Sequence, residues 1–352
     1  MSFKHGMAAL NLEMTDRVPR TEYSVESHWG LVSKVLGRKV DNSCTPEELF
    51  KASNEFKKAW NFDFCWSILV HRSHIPGRKT TMGHAVYADG GVDYDDNINC
   101  PFSKPEDVLE FDPMDEYGKI NMSEMTSMFE EHYKNNVAAC PDAVNMSGIY
   151  ISCMSGLIDM FGWDMLLMAA GMDSKGFGEV TNRYVNWISQ HFEALANADI
   201  PVVMIHDDIV WTEGAFLSPA WYREFIFPNY KKMFAPIIES GKKLMFTSDG
   251  NYTEFIDDIA GCGVNGFVME PLTDMAYIAE KYGKTHSFVG NADTRILLSG
   301  TKEDIYNEVK RCMDIGKDYA GFIMAVGNHI PANTPIENAL YYNEVYEKLS
   351  KR

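Results

Sequence analysis

Between Val202 and Pro335, polar residues able to do chemistry recur in one setting: directly after a short apolar run. They are His206, Asp207 and Asp208; Thr247 and Asp249; Glu270; Asn291 and Asp293; and Asn328 and His329. Imidazole exchanges a proton near neutrality, and a carboxylate can take that proton, hold a cation or steer a histidine. Each residue also has an ordinary structural reading. His206 could be a hydrogen-bonded core histidine, Asp207 or Asp208 could cap the next turn, and Asp249 opens an Asp-Gly turn. Glu270, just before Pro271 at the end of a run, is hard to bury without a partner. Arg295 reads as an ion-pair partner for Asp293, and the Met and Trp residues from Met154 to Met172 read as core.

The elements that must position these residues share one grammar. Four to six apolar or β-branched residues give way abruptly to polar ones and then to a helical stretch. Short buried runs alternating with helices read as βα units on a parallel sheet. In a closed barrel the strand ends share one face, and that face carries the chemistry. Runs near residues 18, 64, 145, 202, 243, 266, 287 and 321 supply eight strands. The expected fold is therefore α/β, a (β/α)8 TIM-like barrel forming one domain over residues 1–352, with N-terminal helical additions. Val18–Ser24, Phe62–His71 and Val144–Ser152 are its first three expected strands. Residues 4–17 predict an amphipathic helix. Thr45 and Pro46 begin another that runs to about Trp60, and 102–140 read as helical. Residues 72–113, rich in Gly, Asp, Pro and Asn, predict a hairpin or lid excursion over the barrel mouth.

The chain of 352 residues is 45% hydrophobic, ample for one large core. Its formal net charge of -18 argues against binding nucleic acid or an anionic membrane surface, both of which need clustered Lys and Arg. No apolar run reaches transmembrane length, and the opening MSFKHGMAALNLEMTDR has no signal-peptide core, so a cytoplasmic location is expected. Seven scattered cysteines without a CxxC pair read as reduced thiols rather than as a disulfide frame.

The ordered motifs HDD, LSPAWYREFIFP, SDGN, GNADTRILLSGT and GNHIPANTP, with an N-terminal echo at DRVPRTEY, resemble the uroporphyrinogen decarboxylase superfamily. That resemblance implies a distorted (β/α)8 barrel and two activities, porphyrinogen decarboxylation or corrinoid-dependent methyl transfer. The decarboxylases carry an Arg-rich signature after the RVP segment, whereas this chain has RVPRTEYSVESHWG, with Glu22 and Glu26 there. An acidic rim would repel a polycarboxylate. Methyltransferases of the superfamily that act on methanol, methylamine-derived methyl groups or thiols hold zinc through a His-x-Cys pair and a later Cys. The matching positions are Thr247, Asp249 and about Asn328, and none is cysteine.

A carboxylate and imidazole set makes a harder, more Lewis-acidic zinc, suited to an ether oxygen. The chain looks most like the first methyltransferase of anaerobic O-demethylases. By that resemblance it takes a methyl group from a phenyl methyl ether and passes it to the Co(I) of cobalamin carried by a partner corrinoid protein. The site implied has Asp249, Glu270 and His329 as metal ligands, with Glu270 also catalytic. His206 and Asp207 serve as acid or orienting pair. Tyr23, Trp29, Met154, Trp163 and Trp211 flank the aryl ring, and His28 and Asn291 complete the substrate-binding set. A decarboxylase, or a methyltransferase using methylamine, methanol or a thiol, is the alternative.

Overall fold

The computed structural model describes residues 1–81 and 98–352, together with the backbone of 86–88 and 91–93. Its strands are β1 Phe64–Cys65, β2 Val86–Ala88, β3 Gly91–Asp93, β4 Val144–Asn145, β5 Ser147–Ile149, β6 Val202–His206, β7 Lys243–Ser248, β8 Gly266–Met269, β9 Ser287–Ala292 and β10 Phe322–Val326. Strands β5 to β10 form one parallel sheet in sequence order, and β1 pairs in parallel with β4. The segment 19–21 joins the two free edges. Thr21 N–H donates to Met324 O (3.0 Å) and Met324 N–H to Pro19 O (2.8 Å), while Asp63 N–H donates to Arg20 O (2.7 Å). Eight strand segments thus follow one another round a ring, each backed by helix: an α/β barrel of the (β/α)8 kind.

Alternation along these strands divides the apolar residues into two layers. Val202 and Met204, Ile323 and Ala325, with Met245, Val268 and Val289, fill the ring's interior. Val203 and Ile205, Leu244 and Phe246, and Phe322, Met324 and Val326 face the helices. The helix Phe3–Leu10 lies against the interior layer, with Ala9 and Leu10 in the same cluster, at the end where the strands begin. A Cβ on Gly6 would sit 2.5 Å from Asp63 O and 2.6 Å from a Val144 methyl, so only glycine permits this approach.

Several elements differ from the sequence expectation. The first strand, Val18–Ser24, is reduced to a single bridge between Arg20 and Met324, because Pro19 has no N–H to give and Ser24 turns to φ +59. The expected strand Phe62–His71 is only β1, regaining the ring at a Val70–Ile149 bridge. Val144–Ser152 is broken into β4 and β5 at Met146. The helix expected over 4–17 stops at Leu10, beyond which Leu12 adopts φ +60. The Thr45 helix forms as Pro46–Ala59, with Thr45 and Glu48 making a reciprocal capping box. Within the expected excursion, β2 and β3 pair antiparallel, and the stretch 102–140 forms helices at Pro105–Leu109, Pro113–Tyr117 and Met122–Ala139 as expected. The rest of that expectation over 82–97, including the lid, lies outside the described residues. Among the described residues no helix is long and apolar enough to cross a membrane, and all seven cysteines are free.

Glu22 and Glu26 do not form an acidic rim. Glu26 pairs with Lys57 at 3.1 Å. Glu22 is buried, and Arg20 Nε donates to its carboxylate at 3.0 Å, as do Tyr342 O–H (2.8 Å) and Val326 N–H (2.9 Å). Arg20 itself lies between the rings of Trp60, Tyr342 and Tyr346. Removing one member of a buried ion pair strands the other, at about 3–5 kcal/mol. Glu22→Gln is therefore expected to lower unfolding stability in urea by about that amount, and Arg20→Met with Glu22→Leu together by much less.

Candidate active site

A cavity of about 570 Å³ opens at the carboxyl ends of the strands. Its floor is the top of the interior layer, Met204 and Val268. One wall is apolar and aromatic: Trp66 and Ile68 after β1, and Tyr23, whose ring lies 5.5 Å from that of Trp66. The opposite wall is polar, with His206 and Asp208, then Thr247, Ser248 and Asp249, and across the ring Asn328 and His329.

The same alternation that sorts the core sorts these residues. Met204, His206 and Asp208 fall on the inward side, as do Thr247 with Asp249 and Trp66 with Ile68. Asp207 falls on the outward side. It is wholly buried and accepts from the backbone N–H of Met154 (3.0 Å) and Ser155 (2.6 Å), and from Tyr230 O–H. It anchors the start of the helix Met154–Met172 to the strand, so the orienting part expected of Asp207 is taken by Asp208.

Asp208 is the hub. One carboxylate oxygen meets His206 Nε2 at 2.8 Å and the Asp249 N–H at 3.0 Å, and the other accepts from Tyr150 O–H at 3.1 Å. The Tyr150 ring covers His206, centroid to centroid 4.0 Å. Burial alone would depress the His206 pKa, but the neighbouring charges of Asp208, Asp249 and Asp207 outweigh it and raise it to about 9. Burial first, then the charge of Asp208, push Asp249 up to about 8, against His206 and the Asn328 amide. The ion-free cluster therefore holds protons at neutral pH. A deeper carboxyl, Asp159, is pushed by burial to about 7 against Arg72.

His206, Asp208 and Asp249 each offer a ligand atom, all within 4.8 Å of one another. One imidazole and two carboxylates, whose mutual repulsion a divalent ion would relieve, fit zinc or a similar cation and leave coordination positions open. Among the described residues this is the one such cluster, and it differs from the expected ligand set of Asp249, Glu270 and His329. Glu270 is turned to the loops: it accepts from Gly250 N–H (2.7 Å) and from the Asn328 amide, and faces a separate groove with Arg295. His329 lines the cavity, but its Nδ1 meets Ser24 Oγ at 2.5 Å. Gly250 has φ +80, and a Cβ there would lie 2.7 Å from Trp211 O. Asp-Gly is thus a turn as well as a site, with Asp249 aimed inward.

The expected substrate-binding residues scatter. Tyr23 lines the cavity. His28 caps the helix Trp29–Leu36 through Nδ1 and gives Nε2–H to Thr334 O (2.8 Å), and with Trp29 it borders a different hollow. Met154 is core. Trp211 is 46% exposed and packs with Trp163 and Phe216 outside the cavity lining. Asn291 is buried, bonded to the carbonyls of Glu270 and Thr273 and to Arg311. The sequence leaves Trp66 and Tyr150 unmarked, and it places Asp208 among the polar strand-end residues, with capping as its alternative, without giving it a role in the site. Two-residue spacing from His206 was the available signal for Asp208. Nothing local marks Trp66, which follows a strand of two residues.

The chain belongs to the uroporphyrinogen decarboxylase (URO-D) family, which matches residues 91–349. The uroporphyrinogen decarboxylase of Carboxydothermus hydrogenoformans is 29% identical over 175 residues, 49% of this chain and 47% of that protein. That of a Thermus thermophilus strain is 26% identical over 163 residues, 46% of each. The matches thus span about half the length of these curated relatives. A solved methyltransferase from Methanosarcina mazei shares the fold, with a TM-score of 0.65 over 99% of both chains at 16% identity.

The pKa of His206 rises on folding, so its pairing adds stability below its ordinary value near 6.5, and that contribution is lost as pH rises through about 9. In metal-stripped protein, NMR titration is expected to show an imidazolium that persists to about pH 9, and Asp208→Asn should bring its titration down by at least a unit (about 1.4 kcal/mol). Dialysed against zinc, the protein is expected to retain one ion per chain by elemental analysis, with Asp249→Asn weakening retention by about tenfold or more.

Proposed function

We propose that the protein transfers the methyl group of a phenyl methyl ether, of guaiacol or veratrole type, to the Co(I) of a separate corrinoid protein. The two-sided cavity supports this reading most. A ring-sized apolar slot faces a cluster that holds a hydrogen-bonded proton or a cation, and an aryl ether needs both. Family membership and the fold shared with a methyltransferase agree with it.

In-line attack by Co(I) on the methyl carbon breaks the C–O bond and leaves its electron pair on oxygen. A phenolate formed in an apolar slot must be met by a proton or a positive charge. The Asp249 carboxyl proton lies on the polar wall and can pass to the ether oxygen, while the His206 imidazolium, its Nε2–H given to Asp208, supplies positive charge beside it. Asp208 holds the His206 ring in place, and Tyr150 holds Asp208. A divalent ion on His206, Asp208 and Asp249, zinc by the sequence expectation, would supply Lewis-acid stabilisation of the same oxygen. Glu270 and Asn328 position the loop that carries Asp249.

Decarboxylation of a porphyrinogen is the weaker reading, because no lysine or arginine is found among the described lining residues to hold its carboxylates. Methylamine, methanol or a thiol would make no use of the aromatic wall.

Anaerobic mixing with Co(I) cobalamin and guaiacol is expected to yield methyl-Co(III), read by its spectrum, and free catechol. Asp208→Asn should slow this by about 100-fold or more. Loss of turnover on chelation assigns phenolate stabilisation to the ion, and survival assigns it to the protons. Silence with every aryl ether, or turnover on methylamines alone, would overturn the proposal.

A further inference from the structure

Away from the cavity, two buried thiols stand side by side. Cys65 ends β1, and Cys140 is the C-cap of the helix Met122–Ala139. With Ala143 they form a small cluster of their own, against which Met1 packs. Cys65 gives its S–H to the Cys140 sulfur, and Cys140 S–H reaches Asn54 Oδ1 at 3.3 Å. The backbones that carry them are fixed to each other. Cys65 lies opposite Asn145 in the β1–β4 ladder, and the Asn145 amide donates to Cys140 O (2.8 Å) and Ala143 O (3.0 Å). Lys57, paired with Glu26 at 3.1 Å, brings an ammonium close enough to act on both thiols. The bond from Cys65, aided by Lys57 against burial, lowers the pKa of the Cys140 thiol; the same bond and burial hold Cys65 up. One thiol is thus readied as a nucleophile while its neighbour stays protonated beside it. The methyl-transfer chemistry makes no use of this pair.

We propose that Cys65 and Cys140 are a peroxide-reactive thiol pair, Cys140 attacking and Cys65 resolving, which closes into a disulfide across the β1–β4 seam. The oxidant is hydrogen peroxide or a small alkyl hydroperoxide. The Cys140 thiolate attacks one peroxide oxygen, so an S–O bond forms as the O–O bond breaks. The hydroxide or alkoxide that leaves takes up the proton that Cys140 had released. The Cys65 sulfur then attacks the sulfenic sulfur, forming S–S as S–O breaks, and its proton departs with that oxygen as water. The two thiols lose two electrons, and the peroxide gains them. The disulfide ties the ring where its ladder is two residue pairs long, directly before Trp66 of the cavity wall.

The folded full chain is treated with hydrogen peroxide, alkylated and mapped by mass spectrometry without reductant. A peptide pair joining Cys65 to Cys140 is expected, lighter by two hydrogens than the separate peptides and released by dithiothreitol. In Cys65→Ser, Cys140 should stop at the sulfenic acid, trapped by dimedone, whereas in Cys140→Ser the Cys65 thiol should survive unoxidised. Lys57→Gln keeps a hydrogen-bond donor for Glu26 but removes the charge, and should slow oxidation of Cys140 by about threefold or more. The map of the unaltered protein decides the matter even where a variant fails to fold. Both thiols surviving peroxide, or Cys140 passing to the sulfinic acid with no cross-link, would overturn the pair. Dimedone on Cys65 in the Cys140→Ser protein would overturn the assignment of the attacking sulfur.

Discussion

The ring of strands closes only because the start of the chain is pinned at its seam. From β5 to β10 neighbouring strands are held by ladders of three to five residue pairs; at 19–21 there is a single bridge, to β10. What holds that segment is charge. Arg17 grips the Asp63 carboxylate with two bonds, at 2.7 and 2.8 Å, and Arg20 N–H adds a third at 3.0 Å. The Arg20–Glu22 pair then reaches across to β10 through Val326 N–H and to the helix Ile336–Leu349 through Tyr342. Buried ion pairs add little net stability against an apolar alternative, but they penalise wrong register heavily. A segment too short and too proline-limited for its own ladder is thereby given one place to sit.

With the ring set, two-residue alternation decides everything that faces the cavity. This is also where sequence and structure part company. The five strand-end clusters were legible, and so were the barrel and the face that carries the site, because each rests on a local pattern repeated many times. Which carboxylate of a pair points inward was legible in principle: His206 and Asp208 are two apart, and Asp207 between them must face the helices. Glu270 and Asn291 look identical to site residues in sequence, since a strand-end polar group that braces loops and one that meets a ligand obey the same local rule. Tyr150 and Trp66 come from the irregular N-terminal half of the ring, where strands of two and three residues leave no periodicity to read.

The polar wall shows how few charges suffice when they are coupled. Asp208 touches His206, Asp249 and Tyr150 at once, so a change at any one of the four is felt by the others. The outward Asp207, by contrast, is sealed among helix N–H groups and a tyrosine. Adjacent aspartates thus keep separate contacts, one holding the scaffold and the other open to a ligand.

The seam has a consequence for how the finished barrel and its contents depend on each other. Tyr23 lies just past the first segment, and Asn328 and His329 just past the last strand. The two ends meet where Ser24 reaches His329 and Ile330 N–H donates to Tyr23 O (3.2 Å). The βα units between them can form from near neighbours in sequence, but this junction spans some three hundred residues and is entropically the costliest to make. The cavity exists only after it is made. Whatever occupies the cavity therefore works as a clasp, binding the closed ring and not the open one, and at a hundred times its dissociation constant it would add about 2.7 kcal/mol to closure.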